Sequence, residues 1–193
     1  MTKEQAVDFL MTIYRLEVES RSKEFRDSKF VKECVEKAAE FLTGGTNKRG
    51  LFFCGYIGNG KTTLLRSISK LYSYLASEGY IEYNDSTKGF EFIGAKELSL
   101  MIIKDEKRYD MLKSTRMLII DDLGEDAMEV TLYGVNYTPV KDVLMYRYEK
   151  GLITLISSNL NASQIKEKYH DERLSDRIRE MYEVVAFKDK SFR

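Results

Sequence analysis

The sequence predicts an α/β fold in which a parallel sheet lies between two layers of helices. Short apolar runs alternate along the chain with segments whose apolar residues have helical spacing. Polar or glycine-rich residues follow these apolar runs at 55–60, 121–122 and 157–159. Buried strands that alternate with helices are typical of a parallel sheet that is covered on both faces.

The strands are expected at five apolar runs, which are 51–54, 90–93, 117–120, 152–156 and 182–187. The apolar spacing and the capping residues predict helices at 3–20, from Asp27 or Ser28 to about 42, 61–76, 95–103, 138–150, 161–169 and 171–181. Residues 80–83 and 90–93 are also expected to form a hairpin around the polar turn 84–89.

The composition limits the classes of protein that the chain can represent. It has 193 residues, 43% of them apolar, and 31 basic residues balance 31 acidic ones. This length suits one domain, and the apolar content excludes wholesale disorder. Because the net charge is zero, binding to nucleic acid would need a local basic patch. No apolar run is long enough for a membrane span, and Cys34 and Cys54 lack metal or redox spacing. We therefore expect a cytoplasmic protein that does not enter the membrane.

A phosphate-binding loop is predicted at residues 55–62. The segment GYIGNGKT fits the pattern G-x-x-x-x-G-K-[ST], with an apolar strand before it and a helix after it. Lys61 is expected to contact the β- and γ-phosphates, the Thr62 hydroxyl to bind Mg²⁺ and Thr63 to reach the α-phosphate. The alternative is an ordinary glycine-rich turn. The other residues expected at the nucleotide are Gly55, Tyr56, Gly58, Asn59 and Gly60.

Two more strand ends carry side chains suited to this chemistry. Asp121 is expected to hold Mg²⁺ through water, and Asp122 to orient the attacking water. Asn159 is expected to hydrogen-bond the γ-phosphate or the water, with Ser158 as the alternate. The competing interpretations are that the aspartates are solvated turn residues and that Asn159 caps the helix that begins near Asn161.

These motifs and their order resemble those of the AAA+ ATPases of the bacterial helicase-loader type (DnaC-like) and of the related transposition helper ATPases (IstB-like). The matching segments are GYIGNGKTTL at 55–64, MLIIDDLG at 117–124, RYEKGLITLISSNLN at 147–161, ERLSDRIRE at 172–180 and SFR at 191–193. The resemblance implies a three-layer αβα P-loop NTPase fold with a parallel five-stranded sheet. It divides the chain into a helical extension over 1–26 and an ATPase core over 27–193. The helical lid of the family is expected to be absent or vestigial.

The resemblance also implies roles for single residues. Lys61 and Thr62 would form the Walker A site, Asp121 and Asp122 the Walker B site, and Asn159 would be the sensor. The implied chemistry is hydrolysis of ATP with Mg²⁺.

An arginine in the second half of the chain would reach a neighbouring subunit's ATP. Arg173 matches this arginine finger, Arg177 is the alternative one helical turn later, and Arg147 and Arg193 are weaker candidates. The competing interpretation is an exposed helix whose arginines pair with its own acidic residues. The implied assembly is an ATP-dependent homo-oligomer.

The resemblance implies single-stranded DNA and a replicative helicase or transposase as partners. A basic cluster over 104–116 around Tyr109 could bind single-stranded DNA through phosphate contacts and stacking, or be a solvated charged face. Two other functions remain open. One is a small P-loop kinase. The other is an adaptor that binds ATP without hydrolysing it, because Asp122 stands where many AAA+ proteins have glutamate.

Overall fold

A central sheet of parallel strands positions the candidate site. The computed structural model of the chain describes residues 1–80 and 89–187. The strands of the central sheet are β1 (Gly50–Gly55), β2 (Glu91–Gly94), β3 (Met117–Leu123), β6 (Ile153–Ser158) and β7 (Tyr182–Phe187), and β4 (Val130–Leu132) with β5 (Val135–Tyr137) forms a separate antiparallel hairpin. The order in the five-stranded sheet is β2-β3-β6-β1-β7, and every pair is parallel. The predicted α/β fold with a parallel five-stranded sheet is confirmed.

Helices cover both faces of this sheet. They are α1 (Lys3–Glu19), α2 (Lys29–Leu42), α3 (Lys61–Ser77), α4 (Ala95–Lys104), α5 (Glu106–Ser114), α6 (Pro139–Glu149), α7 (Ala162–Tyr169) and α8 (Glu172–Met181). One hydrophobic cluster joins α1, α2 and α3 to one face, and a second joins the helices from α4 to α8 to the other. Phe52 belongs to the second cluster and Phe53 to the first. This alternation explains why the strand is apolar at every position.

The first helix is part of the packed structure. Ala6, Leu10 and Tyr14 of α1 are buried in the same cluster as residues of α2 and α3. Ser28 is the residue that caps α2, because its hydroxyl accepts a hydrogen bond from the Val31 N–H. The boundary between an extension over 1–26 and a core over 27–193 stays a prediction.

Two elements were not anticipated from the sequence. Helix α5 is mostly charged, and it begins where the Asp105 carboxylate accepts a hydrogen bond from the Arg108 N–H. The β4–β5 hairpin follows β3 and turns at Tyr133 and Gly134, both of which have positive φ. Of the predicted hairpin over 80–93, residues 81–88 lie outside the described residues, whereas 91–94 pair with β3 as a parallel strand.

The prediction that Tyr109 offers a stacking surface to DNA is wrong. Tyr109 is buried, and its hydroxyl donates a hydrogen bond of 2.9 Å to the Pro139 carbonyl. Helix α5 turns this ring into the core because Tyr109 and Leu112 lie on its buried side. Arg108, in the same basic cluster, pairs with Glu91 at 2.7 Å.

The prediction that Arg147 could reach the nucleotide cleft is also wrong, because its guanidinium is fully buried beneath α6. It donates hydrogen bonds to the Thr154 hydroxyl and to four backbone carbonyls, those of Leu112, Lys113, Thr115 and Ile153. Burial lowers the pKa of Arg147 to about 10. Arg147 therefore ties the end of α5 to β6 inside the fold.

Among the helices of the described residues, none combines the length and the apolar character needed to cross a membrane.

Candidate nucleotide-binding site

The phosphate loop joins β1 to α3 and places backbone N–H groups at the start of a 17-residue helix. Gly60 is the N-cap of α3 and has a φ of +94°, which side-chain-bearing residues rarely adopt. A Cβ added to Gly60 would also overlap the hydroxyl of Tyr14. The backbone at Gly60 therefore needs glycine both for its conformation and for its packing against α1.

The ammonium group of Lys61 is held at the centre of this loop. Its Nζ donates to the carbonyls of Gly55 at 2.7 Å and Tyr56 at 2.8 Å. It also donates to the side-chain oxygens of Asn59 at 3.2 Å and Asn159 at 3.0 Å. These contacts bring the loop and the end of β6 together around one cation.

The end of β3 provides the acidic side of the site. The Thr62 hydroxyl donates to Asp121 Oδ1 at 3.0 Å. Ser157 of β6 donates from its hydroxyl to the same carboxylate oxygen and accepts a hydrogen bond from the Asp122 N–H at 2.8 Å. Ser157 thus fixes both aspartates, and it is not among the site residues predicted from the sequence. The signal that could have found it is its place on a strand end beside the one that carries Asp121.

Asp122 projects from an irregular end of the strand. Its φ is +55°, and the pairing of β3 with β6 shifts register between Ile120 and Leu123. Such a bulge redirects a side chain out of the strand plane. Asp122 is exposed and lines the cavity, whereas Asp121 is buried. Burial lowers the pKa of Lys61, although the nearby charges of Asp122 and Asp121 act in the opposite direction.

A cavity of about 350 Å³ lies over these groups, a size typical of small-molecule sites. Gly58, Asn59, Gly60, Lys61, Thr62, Thr63, Asp121, Asp122 and Asn159 line one part of it. The connection between α1 and α2, with Arg21 and Phe25 among its residues, lines another part. Tyr56 was expected at the nucleotide, but its side chain is 74% exposed, and only its carbonyl contacts Lys61.

The structure separates the two candidates at the end of β6. Asn159 lines the cavity and accepts the hydrogen bond from Lys61. Ser158 is buried, and its hydroxyl donates to the Leu123 carbonyl at 2.5 Å. The alternate placement of Ser158 at the nucleotide is therefore wrong. Asn161, and not Asn159, caps α7 through hydrogen bonds from the N–H groups of Ser163 and Gln164.

The candidate arginine fingers differ in the contacts that their side chains make. Arg173, in the first turn of α8, is exposed and makes no side-chain hydrogen bond or ion pair with residues 1–80 or 89–187. The guanidinium of Arg177 lies 4.7 Å from the centre of the Tyr148 ring and contacts the Met145 sulfur at 2.8 Å. Arg193 lies outside the described residues.

The residues around Asp121 suit a hard divalent cation. The Thr62 hydroxyl and the Asp121 carboxylate are neighbouring oxygen donors, the type of ligand that Mg²⁺ prefers. Within the described part of the chain there is no group of three or more His, Cys, Asp or Glu residues that could hold a metal. A magnesium ion would therefore be shared between these two side chains and phosphate oxygens.

No family model matches the chain. Among curated proteins, the replicative helicase loader DnaI of Bacillus subtilis (strain 168) is 28% identical over 121 residues, which are 63% of this chain and 36% of that protein. The chain thus spans about a third of this relative's length.

Two of the solved structures that share this fold belong to replication proteins. The DnaC helicase loader superimposes with a TM-score of 0.62 and 19% identity, over 84% of this chain and 92% of that one. The replication initiator DnaA, in a structure with AMPPCP and single-stranded DNA, has a TM-score of 0.58 and 16% identity, over 86% of this chain and 49% of that one. The chain therefore has the AAA+ P-loop fold, and its resemblance to the DnaC-type helicase loaders is confirmed by these similarities in sequence and structure.

Proposed function

We propose that the protein binds ATP with Mg²⁺ and hydrolyses it at a subunit interface, as the switch of a replicative helicase loader. The observation that carries this proposal is the convergence of Lys61, Asp121, Asp122 and Asn159 on one cavity at the edge of the sheet. These side chains come from the first residue of α3, from the end of β3 and from the residue after β6. No general structural need brings a lysine, two carboxylates and an amide to the same place.

Each group has a task in hydrolysis. The loop N–H groups and Lys61 bind the β- and γ-phosphates, and Lys61 leaves its present carbonyl partners to do so. Asp122 accepts a hydrogen bond from a water molecule, whose oxygen attacks the γ-phosphorus while the bond to the β–γ bridging oxygen breaks. ADP leaves, and the proton of the water passes to Asp122 or to the product phosphate. Asn159 orients this water or a γ-phosphate oxygen. Thr62 and, through water, Asp121 would hold Mg²⁺, which would supply neutralising charge on the phosphates.

Arg21 and Arg26 line the cavity at the connection between α1 and α2, and a further guanidinium from a neighbouring subunit would stabilise the charge that develops on the γ-phosphoryl group. Arg173 fits this role in a neighbouring subunit because it is exposed and has no partner among the described side chains. Arg177 is less suited, since its guanidinium is engaged with Tyr148. The proposed active form is therefore a homo-oligomer that places Arg173 of one copy near the nucleotide of the next.

The proposed partners are a replicative helicase and single-stranded DNA. The similarity to the helicase loader DnaI favours the helicase over a transposase. The similarity to DnaA, whose structure contains single-stranded DNA, supports the nucleic acid. With Tyr109 buried, contact with DNA would rest on phosphate interactions of exposed basic residues such as Lys107.

The test is ATP binding and hydrolysis, measured with and without single-stranded DNA. Lys61→Ala should abolish both binding and turnover, whereas Lys32→Ala, which removes an exposed lysine of α2, should change neither. Turnover that single-stranded DNA alters supports the loader function. Binding without any turnover would replace the proposed ATPase with a nucleotide-gated adaptor. Normal turnover by Lys61→Ala would overturn the assignment of the site.

A further inference from the structure

A buried carboxylate lies three residues beyond the end of β3. Asp126 is 5% exposed, and its Oδ1 accepts hydrogen bonds from the Gly124 N–H at 3.0 Å and from the Tyr169 hydroxyl at 2.5 Å. Its other oxygen, Oδ2, is buried and has no hydrogen-bond partner among the described residues. Asp126 has no cationic partner among the side chains that the structure describes, and a buried carboxylate of this kind is costly for a fold to keep.

The hydrogen bond from Tyr169 joins the acidic strand end to the helices that follow β6. Tyr169 is the last residue of α7, and its burial and the adjacent carboxylate raise the pKa of its phenol far above the usual value. The Lys168 ammonium also donates to the Asp126 carbonyl, at 3.4 Å. The same turn is also tightly packed, because a Cβ added to Gly124 would lie 2.7 Å from the Leu160 side chain.

Helix α8 begins after a two-residue connection from α7 and packs against it. His170 adopts a left-handed conformation between the two helices, and Asp171 caps α8. The Ser175 hydroxyl donates to the Ala162 carbonyl at 3.0 Å, which fixes α8 against the start of α7. Arg173 is in the first turn of α8, four residues after Tyr169. The contact between Asp126 and Tyr169 therefore lies on a short route from Asp122 to Arg173.

We propose that the Asp126–Tyr169 contact couples the end of β3 to Arg173 within one subunit. The conformation of the turn after Asp122 would thereby determine the position of the arginine that this subunit donates to its neighbour. A shift of the turn after Asp122 moves Asp126, Asp126 moves the end of α7 through Tyr169, and α8 carries Arg173 with it. Asp126 and Tyr169 are positioning residues, since neither lines the cavity. This inference rests on the proposed function, in which Arg173 acts across an interface.

The test uses mixed oligomers in which one variant hydrolyses and the other donates the arginine. Asp122→Asn keeps Arg173 but loses its own hydrolysis, and Arg173→Ala keeps its own site but donates no guanidinium. Mixing the two should restore ATP turnover that neither shows alone. If mixing restores no ATP turnover, the subunit interface of the proposed function is contradicted, independently of the role of Asp126.

Tyr169→Phe is then added to one partner at a time. In the Asp122→Asn subunit it should lower the restored turnover about tenfold, because a small misplacement of Arg173 is enough to slow phosphoryl transfer. In the Arg173→Ala subunit it should have a much smaller effect. Tyr133→Phe, at a side chain that is 97% exposed, is the matched control and should change nothing in either subunit.

A second variant separates positioning from folding. Asp126→Leu in the Asp122→Asn subunit keeps a similar side-chain volume, removes the oxygen that accepts from the Tyr169 hydroxyl and should reproduce the loss seen with Tyr169→Phe, while ATP binding by that subunit stays within about twofold of its parent. Restored turnover that is unchanged by both variants would overturn the inference. Equal losses in the two placements of Tyr169→Phe would also overturn it, because they would indicate only local support of the strand end.

Discussion

The hydroxyl of Tyr14 lies against the backbone of Gly60, so helix α1 packs directly on the phosphate loop. Tyr14 is 4% exposed, and it lines the cavity together with the loop. The ring also meets Phe25 edge to face, with 6.1 Å between the ring centres. Residues of the first helix therefore form part of the wall of the proposed nucleotide site.

Gly60→Ala is predicted to weaken ATP binding by at least about tenfold. The added Cβ would overlap the Tyr14 hydroxyl, and a φ of +94° adds strain of about 1–3 kcal/mol for a side-chain-bearing residue. Gly134→Ala is the matched control, because Gly134 has a φ of +80° and no heavy atom within 4 Å of its added Cβ. Titration with a fluorescent ATP analogue measures both. Wild-type affinity in Gly60→Ala would contradict this account of the loop.

Asn159→Ala is predicted to lower the turnover number for ATP about 10- to 100-fold while ATP binding stays close to that of the wild type. The amide that accepts a hydrogen bond from Lys61 would be lost, and with it the group that orients the water or the γ-phosphate. Asn161→Ala, two residues later, removes the α7 cap and should cost about 1 kcal/mol of stability without a loss of turnover. Steady-state kinetics with both variants separates the two roles. Equal turnover in the two variants would remove Asn159 from the mechanism.

Ser157→Ala is predicted to raise the Mg²⁺ concentration needed for half-maximal turnover about tenfold, as loss of a residue that orients a metal ligand does. The Ser157 hydroxyl holds the Asp121 carboxylate and accepts from the Asp122 N–H. Ser99→Ala removes an equally buried hydroxyl, one that donates to the Lys96 carbonyl, and should leave the Mg²⁺ dependence unchanged. A magnesium titration of ATP turnover is the measurement. An unchanged Mg²⁺ midpoint in Ser157→Ala would show that the hydrogen bond from Ser157 does not position the Asp121 carboxylate.

Tyr14→Phe is predicted to make the protein less sensitive to alkali. Burial raises the pKa of Tyr14 from 10.0 to about 12. Because the pKa is higher in the folded state, this contribution to stability is complete below pH 10 and is lost as the pH rises through about 12. Urea unfolding over that range should show the wild type losing roughly 1–3 kcal/mol more than Tyr14→Phe. Parallel losses in the two proteins would contradict burial of a neutral phenol.

The sequence predicted the features that short segments encode. The phosphate loop, the two aspartates after β3 and the polar end of β6 follow from residue types at fixed spacing, and parallel strands bring their carboxyl ends to one edge. Asn159 was preferred over Ser158, and the structure places the amide, not the hydroxyl, in the cavity.

The features that the sequence did not predict depend on contacts between distant segments. Arg147 is satisfied largely by backbone carbonyls, which have no signature in the side-chain pattern. The approach of Tyr14 to Gly60 depends on how α1 packs on α3. Helix α5 was missed because it offers only Tyr109 and Leu112 to the core. Each of these contacts requires knowledge of the packed chain.

The most direct test of the central claim is the rate of ATP hydrolysis per subunit as a function of protein concentration, for the wild type and for Arg173→Ala. The wild-type rate should rise with concentration and reach a plateau as copies assemble, because each site needs an arginine from its neighbour. The rate for Arg173→Ala should stay low at every concentration, with ATP binding retained. Turnover that does not depend on concentration and is equal in the two proteins would contradict a site completed across a subunit interface.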